Sequence, residues 1–175
     1  GRSATLSIGG AAFTLTQAAG TAPVIVQTPF SGSGTSKTFQ IQFRNPAGLN
    51  ELGVLNILIN NALNGNGACY LAYSHQAKTI YLVRDQGPAA GLDGGFPLGA
   101  AGSAANTQCT IYSAGSSAIN LSADTLQLNL NIAFTGAFTG NRLVYAAARD
   151  KTETANSGWQ LVGTHEVPGA TITYP

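Results

Sequence analysis

The chain predicts an all-β fold: an antiparallel Ig-like or jelly-roll-like β-sandwich with an N-terminal β-hairpin extension. Residues 126–134 alternate strictly, with Leu126, Leu128, Leu130, Ile132 and Phe134 apolar and the residues between them polar or small. A period of two marks a strand with one buried and one wet face. Similar short runs recur along the whole chain, separated by turn residues, as in an antiparallel sandwich. Composition agrees. Only 9% of the residues are charged, against about 25% in an ordinary globular domain. Ala, Gly, Ser, Thr and Asn take their place.

The first 20 residues read as a separable hairpin extension, and residues 21–175 as the sandwich domain. Leu6 and Ile8 alternate on one strand (5–8), Phe13 and Leu15 on the next (12–17), and Gly9-Gly10 between them is a two-residue hairpin turn. A lone hairpin is marginal in water and must pack on something. Residues 18–23 read as a linker. Further strands are expected at 24–27, 38–43, 54–60, 68–73, 79–84, 108–112, 126–134, 142–148, 159–164 and 170–174. Residues 46–52 read as one short helical turn, which Asn45-Pro46 can start. Residues 87–102, rich in Gly, Ala and Pro, read as a long loop carrying a short strand at 96–98. Gly32-Ser33-Gly34-Thr35-Ser36-Lys37 fails the spacing of a phosphate loop and reads as a flexible turn.

Cys69 and Cys109 are the only cysteines, each inside a strand-like run. Two buried free thiols would satisfy the pattern, but a chain that otherwise looks secreted favours a disulfide. No third or fourth ligand lies at zinc spacing. Asp85 and Asp93 lack the closely spaced acids of a calcium loop.

Charge excludes more than it offers. A net charge of +1 supplies no basic footprint for nucleic acid. No apolar run approaches the roughly 18 residues needed to insert in a membrane. Seven acids, eight bases and two His leave little for acid–base catalysis, so no catalytic, metal or cofactor site is expected. His75 reads as a solvated turn residue, and His165 beside Glu166 lacks a nearby nucleophile. Ser116 and Ser117 lack the Gly-x-Ser-x-Gly elbow. Arg149 and Asp150 read as locally paired or facing solvent. Trp159, the sole Trp, reads as a core or sheet-face anchor. Its functional alternative is a sugar platform flanked by Tyr70, Tyr73, Tyr81 and Tyr112, although Tyr70 and Tyr73 fall on opposite strand faces. Asn120-Leu121-Ser122 is a sequon, making Asn120 a candidate glycosylation site, though such tripeptides also arise by chance. The start at Gly1 suggests a processed or excised segment.

Residues 2–18, Arg-Ser-Ala-Thr-Leu-Ser-Ile-Gly-Gly-Ala-Ala-Phe-Thr-Leu-Thr-Gln-Ala, resemble the closing hairpin of BACON-type Ig-like domains. Those occur in secreted bacterial proteins and were proposed to bind carbohydrate or mucin. Residues 43–48, 54–61, 68–73, 106–110, 126–134, 141–150 and 156–163 resemble, in order and spacing, a repeated Ig-like module of large secreted bacterial surface proteins. That resemblance implies an extracellular setting and no catalytic residues.

The leading expectation is a non-enzymatic extracellular structural protein. It would be a surface-fibre subunit whose hairpin residues Leu6, Ile8, Phe13 and Leu15 pair with another copy by strand addition, with residues 170–174 as an acceptor edge or second donor. The rival is a carbohydrate-binding or adhesion module partnered by surface glycans.

Overall fold

The computed structural model describes residues 2–17, 22–27 and 29–169. The hairpin is β1 (Arg2–Ile8) and β2 (Ala11–Gln17). Its turn needs both glycines: Gly9 and Gly10 sit at φ 60° and 84°, the left-handed region in which a two-residue turn matches the twist of its strands. The five-stranded sheet runs β3 (Val24–Ile25), β4 (Ser36–Arg44), β11 (Thr125–Phe134), β10 (Cys109–Asn120), β9 (Ser103–Ala105). The six-stranded sheet runs β13 (Gln160–Val167), β12 (Gly140–Asp150), β5 (Leu52–Asn60), β6 (Cys69–Ser74), β7 (Thr79–Val83), β8 (Leu92–Pro97). Every strand pairing within the sheets is antiparallel. The fold is an antiparallel β-sandwich with an N-terminal hairpin.

One core fills the space between the sheets. From the five-stranded sheet come Phe39, Ile41, Phe43, Ile111, Leu126, Leu128, Leu130 and Ile132; from the six-stranded sheet come Leu55, Ile57, Leu71, Ile80, Leu82 and Val144. The alternation in β11 does what its period demands, with every even residue in the core. Its odd residues form a polar ladder on the outer face. Gln42 Nε2 donates to Gln127 Oε1 (3.1 Å), Gln127 Nε2 to Asn129 Oδ1 (2.9 Å), and Asn129 Nδ2 to Ser117 Oγ (2.8 Å). Three strands are thus joined by uncharged side chains.

Cys69 and Cys109 form a disulfide with Cα atoms 5.6 Å apart. Both residues are fully buried, and they belong to different sheets, so the bond ties the layers together. Closing a 40-residue separation contributes about 4 kcal/mol in the chain-entropy model.

Several expectations are corrected. Residues 32–37 are not a free turn. Residues 30–34 run beside β13: Phe30 N donates to Val162 O, Thr164 N to Phe30 O, Glu166 N to Gly32 O and Gly34 N to Glu166 O, at 2.8–3.2 Å. Gly163 permits this, because a Cβ there would lie 2.6 Å from Phe30 O. The strand expected at 96–98 is the longer β8, held by backbone pairing with β7. The segment 103–105, read as part of no strand, is β9. β10 continues past 112, through an irregularity between Tyr112 and Ser117, to Asn120. The helical turn expected at 46–52 is a shorter 3-10 turn at Leu49–Glu51, with Leu52 already in β5. The strand expected at 170–174 lies outside the described residues.

Leu130→Ala is expected to cost about 2–5 kcal/mol, since a fully buried Leu leaves a cavity. Asn129→Ala removes two side-chain hydrogen bonds from a wet face and is expected to cost about 1 kcal/mol. Chemical denaturation of both variants checks this; equal losses would contradict the assigned faces.

Candidate functional site

Cross-strand neighbours in an antiparallel pair share a face. In the hairpin Ala4 lies opposite Leu15, Leu6 opposite Phe13 and Ile8 opposite Ala11. These six residues make one wholly apolar face, and Thr5, Ser7, Ala12 and Thr14 lie on the other. The apolar face is wet: Leu6 and Ile8 are 60% exposed, Phe13 57% and Leu15 75%. None belongs to the core. Covering a large side chain fully is worth about 1.5–3 kcal/mol, so this face carries a driving force the single chain does not use. The sandwich core draws only on residues after the linker.

Among the described residues, part of the edge of β10 is also unpaired. β9 covers only Thr110–Tyr112 of β10. Residues 97–102 then take over around Ser113: Gly99 N donates to Ser113 O, and Ser113 N to Gly102 O. Beyond that point no described residue pairs with the outer edge of β10. Below it, between the sheets, lies a cleft of about 320 Å3 whose lining includes Tyr73, Pro97, Leu98, Ala118, Asn120 and Leu126.

His75 and Lys78 complete this cleft. His75 was expected to be solvated; it is 4% exposed, because the turn after β6 folds its ring back beside Tyr73 (centroids 6.4 Å apart). The Lys78 ammonium lies 3.0 Å from His75 Nε2 and 3.3 Å from Nδ1. Burial, reinforced by that cation, holds the His75 imidazole down to about 4. His165 is fully buried among Phe39 and Phe134. Its Nε2 lies 2.8 Å from Gly34 O, and burial lowers its pKa, opposed by that hydrogen bond.

Six of the seven acids are occupied with structure. Asp124 bonds Ser122, Arg44 and Thr125, which together hold its carboxyl down to about 2. Asp93 pairs with Arg84, Glu51 with Lys151 and Arg149 with Glu153. Asp85 accepts from Thr107 N. Asp150 accepts from Thr152 Oγ1 and Ala155 N, folding its own loop. Among the described residues no three His, Cys, Asp or Glu groups are placed to hold a metal ion. Ser116, buried in the irregular part of β10, donates to Tyr112 O and accepts from Asn131 N.

Trp159 is a sheet-face residue rather than a core anchor. It lies edge-on to Tyr70 (5.6 Å) and is 36% exposed. Tyr70 in turn donates to Asn56 Oδ1. Tyr73 points into the core and Tyr112 belongs to the other sheet, so the tyrosines form no single platform. Asn120 is exposed at the end of β10, while Ser122 of its sequon is bonded to Asp124.

No protein-family model matches the chain, and no curated protein is significantly similar to it in sequence. The candidate surfaces therefore stand on geometry: an uncovered apolar hairpin face, and a short free edge above a cleft.

Between its ordinary 6.5 and about 4, His75 is protonated in the unfolded chain and neutral in the folded one. The unfolded state binds more protons there, so stability falls as pH drops through that window and levels off below it. His165 acts in the same direction. His75→Gln is expected to flatten the decline, measured as denaturation midpoints at about pH 7, 5.5 and 4; an unchanged slope would contradict the assignment.

Proposed function

We propose that the protein is a non-enzymatic extracellular structural subunit that joins copies of itself into a surface fibre by β-strand addition from its N-terminal hairpin. The observation that carries this reading is the exposed apolar face of Leu6, Ile8, Phe13 and Leu15. Hairpins of this size need a partner surface, and a second copy supplies one. A donor at one place and an acceptor at another make a head-to-tail contact, which does not close and grows a filament.

Low charge supports the same reading, since edges that must stay unpaired usually carry guard charges. The buried disulfide fits an oxidising compartment, and the resemblance to secreted Ig-like surface modules points to the cell exterior. No helix among the described residues is long and apolar enough to cross a membrane.

A second reading, a carbohydrate-binding or adhesion module, has Trp159 in its favour. Its partly exposed ring, edge-on to Tyr70, offers a face on which a pyranose can stack. Glycosylation of Asn120 belongs to the same extracellular setting.

Deleting residues 1–20 tests the leading reading. The expected result is loss of polymers in sedimentation and negative-stain images, with a folded monomer and a near-normal melting curve. A deletion variant that still polymerises, or a full chain that stays monomeric at high concentration, would place the carbohydrate-binding reading ahead.

A further inference from the structure

We infer that the acceptor for the hairpin is the free edge of β10 in the next copy, with the hairpin's apolar face laid over the cleft beneath that edge; this rests on the self-association reading above. Backbone direction locates the edge. Leu121 N donates to Thr125 O across the turn into β11. Residues two apart in a strand direct their backbone groups to the same side. Leu121, Ile119 and Ser117 therefore face β11, and Ala118 and Asn120 turn their N–H and C=O groups outward. No described residue bonds those groups. Added strands satisfy such rows of donors and acceptors in peptide recognition by sheets.

The surroundings fit this occupant. Ala118 is small and exposed, so an incoming strand meets no bulky side chain at the edge. Below it, Tyr73, Pro97, Leu98 and Leu126 give the cleft an apolar side for residues such as Leu6 and Phe13, with His75, Lys78 and Asn120 forming its polar side. Charge also matches along the paired strands: neither residues 3–17 nor residues 109–122 contain a charged side chain, so the backbone pairing itself desolvates none, and the one charge lining the cleft, the Lys78 ammonium, lies against the His75 ring. Other outer strands are less suited. β4 carries Lys37 and Arg44, β8 carries Asp93, and β13 is already covered by residues 30–34.

Buried area selects insertion over flat stacking. A seven-residue ribbon is about 24 Å long and about 10 Å wide over two strands. Covering one face flat would remove only about 500 Å2 from the two partners, below the roughly 1,200 Å2 of a stable interface. Pairing along the edge and filling the cleft adds the hairpin's flank and the cleft walls to that area.

The test uses the full chain with Ala118→Pro and Ala118→Lys, compared with wild type by sedimentation velocity across a concentration series. No described residue partners the N–H of Ala118, so Pro removes only the donor offered to an incoming strand; Lys places a guard charge over the cleft. Both variants are expected to stay monomeric to concentrations at least tenfold above that at which wild type polymerises, with unchanged melting curves. Should the Pro variant fail to fold, the Lys variant decides, because position 118 is exposed. Folded variants that polymerise like wild type would overturn β10 as acceptor while leaving the hairpin as donor. A wild-type chain that never polymerises would overturn both.

Discussion

Each strand at the border of a sheet presents backbone donors and acceptors that must find partners or water, and most of this structure follows from how those borders are treated. Residues 30–34 close the flank of β13, which requires the absence of a side chain at Gly163. β9 and residues 97–102 close the first half of β10. Among the described residues nothing pairs with the outer side of the second half of β10 or with either flank of the hairpin, and the hairpin contributes nothing to the core. The hairpin and the second half of β10 are thus two of the places where the described residues leave their pairing incomplete.

What makes an incomplete border tolerable is the firmness of the rest. Alternating residues of both sheets fill one core, and the Cys69–Cys109 bond joins the sheets inside it. On the outer face, Gln42, Gln127, Asn129 and Ser117 link three strands without a charge. Charged side chains would have guarded that surface against other copies; neutral amides hold it together and leave it approachable. Four ion pairs do occur among the described residues, and each joins partly exposed side chains, where such pairs contribute little to stability.

Much of this was legible in the sequence. The faces of β11 followed from its period, the hairpin from Gly9-Gly10 between two alternating runs, and the disulfide from one cysteine in each of two strand-like segments. Features held by backbone pairing alone left no side-chain signal. The second half of β10, Ser- and Gly-rich, lacks β-branched density, and the cover at residues 30–34 reads as a turn by composition. His75 was misplaced for a related reason: turn residues are usually wet, but here the turn returns its ring to the cleft beside Tyr73. The cleft and the free edge arise from segments distant in the chain, which no local pattern reports.

Assembly by strand addition unites the low charge, the unburied hairpin face and the open edge in one account, in which each copy completes the sheet of its neighbour. The most direct measurement is hydrogen–deuterium exchange of the wild-type chain at low and high protein concentration. At high concentration the account predicts slowed exchange of the hairpin amides and of Ala118 and Asn120, with the core strands unchanged. Hairpin amides that exchange at the same rate at both concentrations would contradict it.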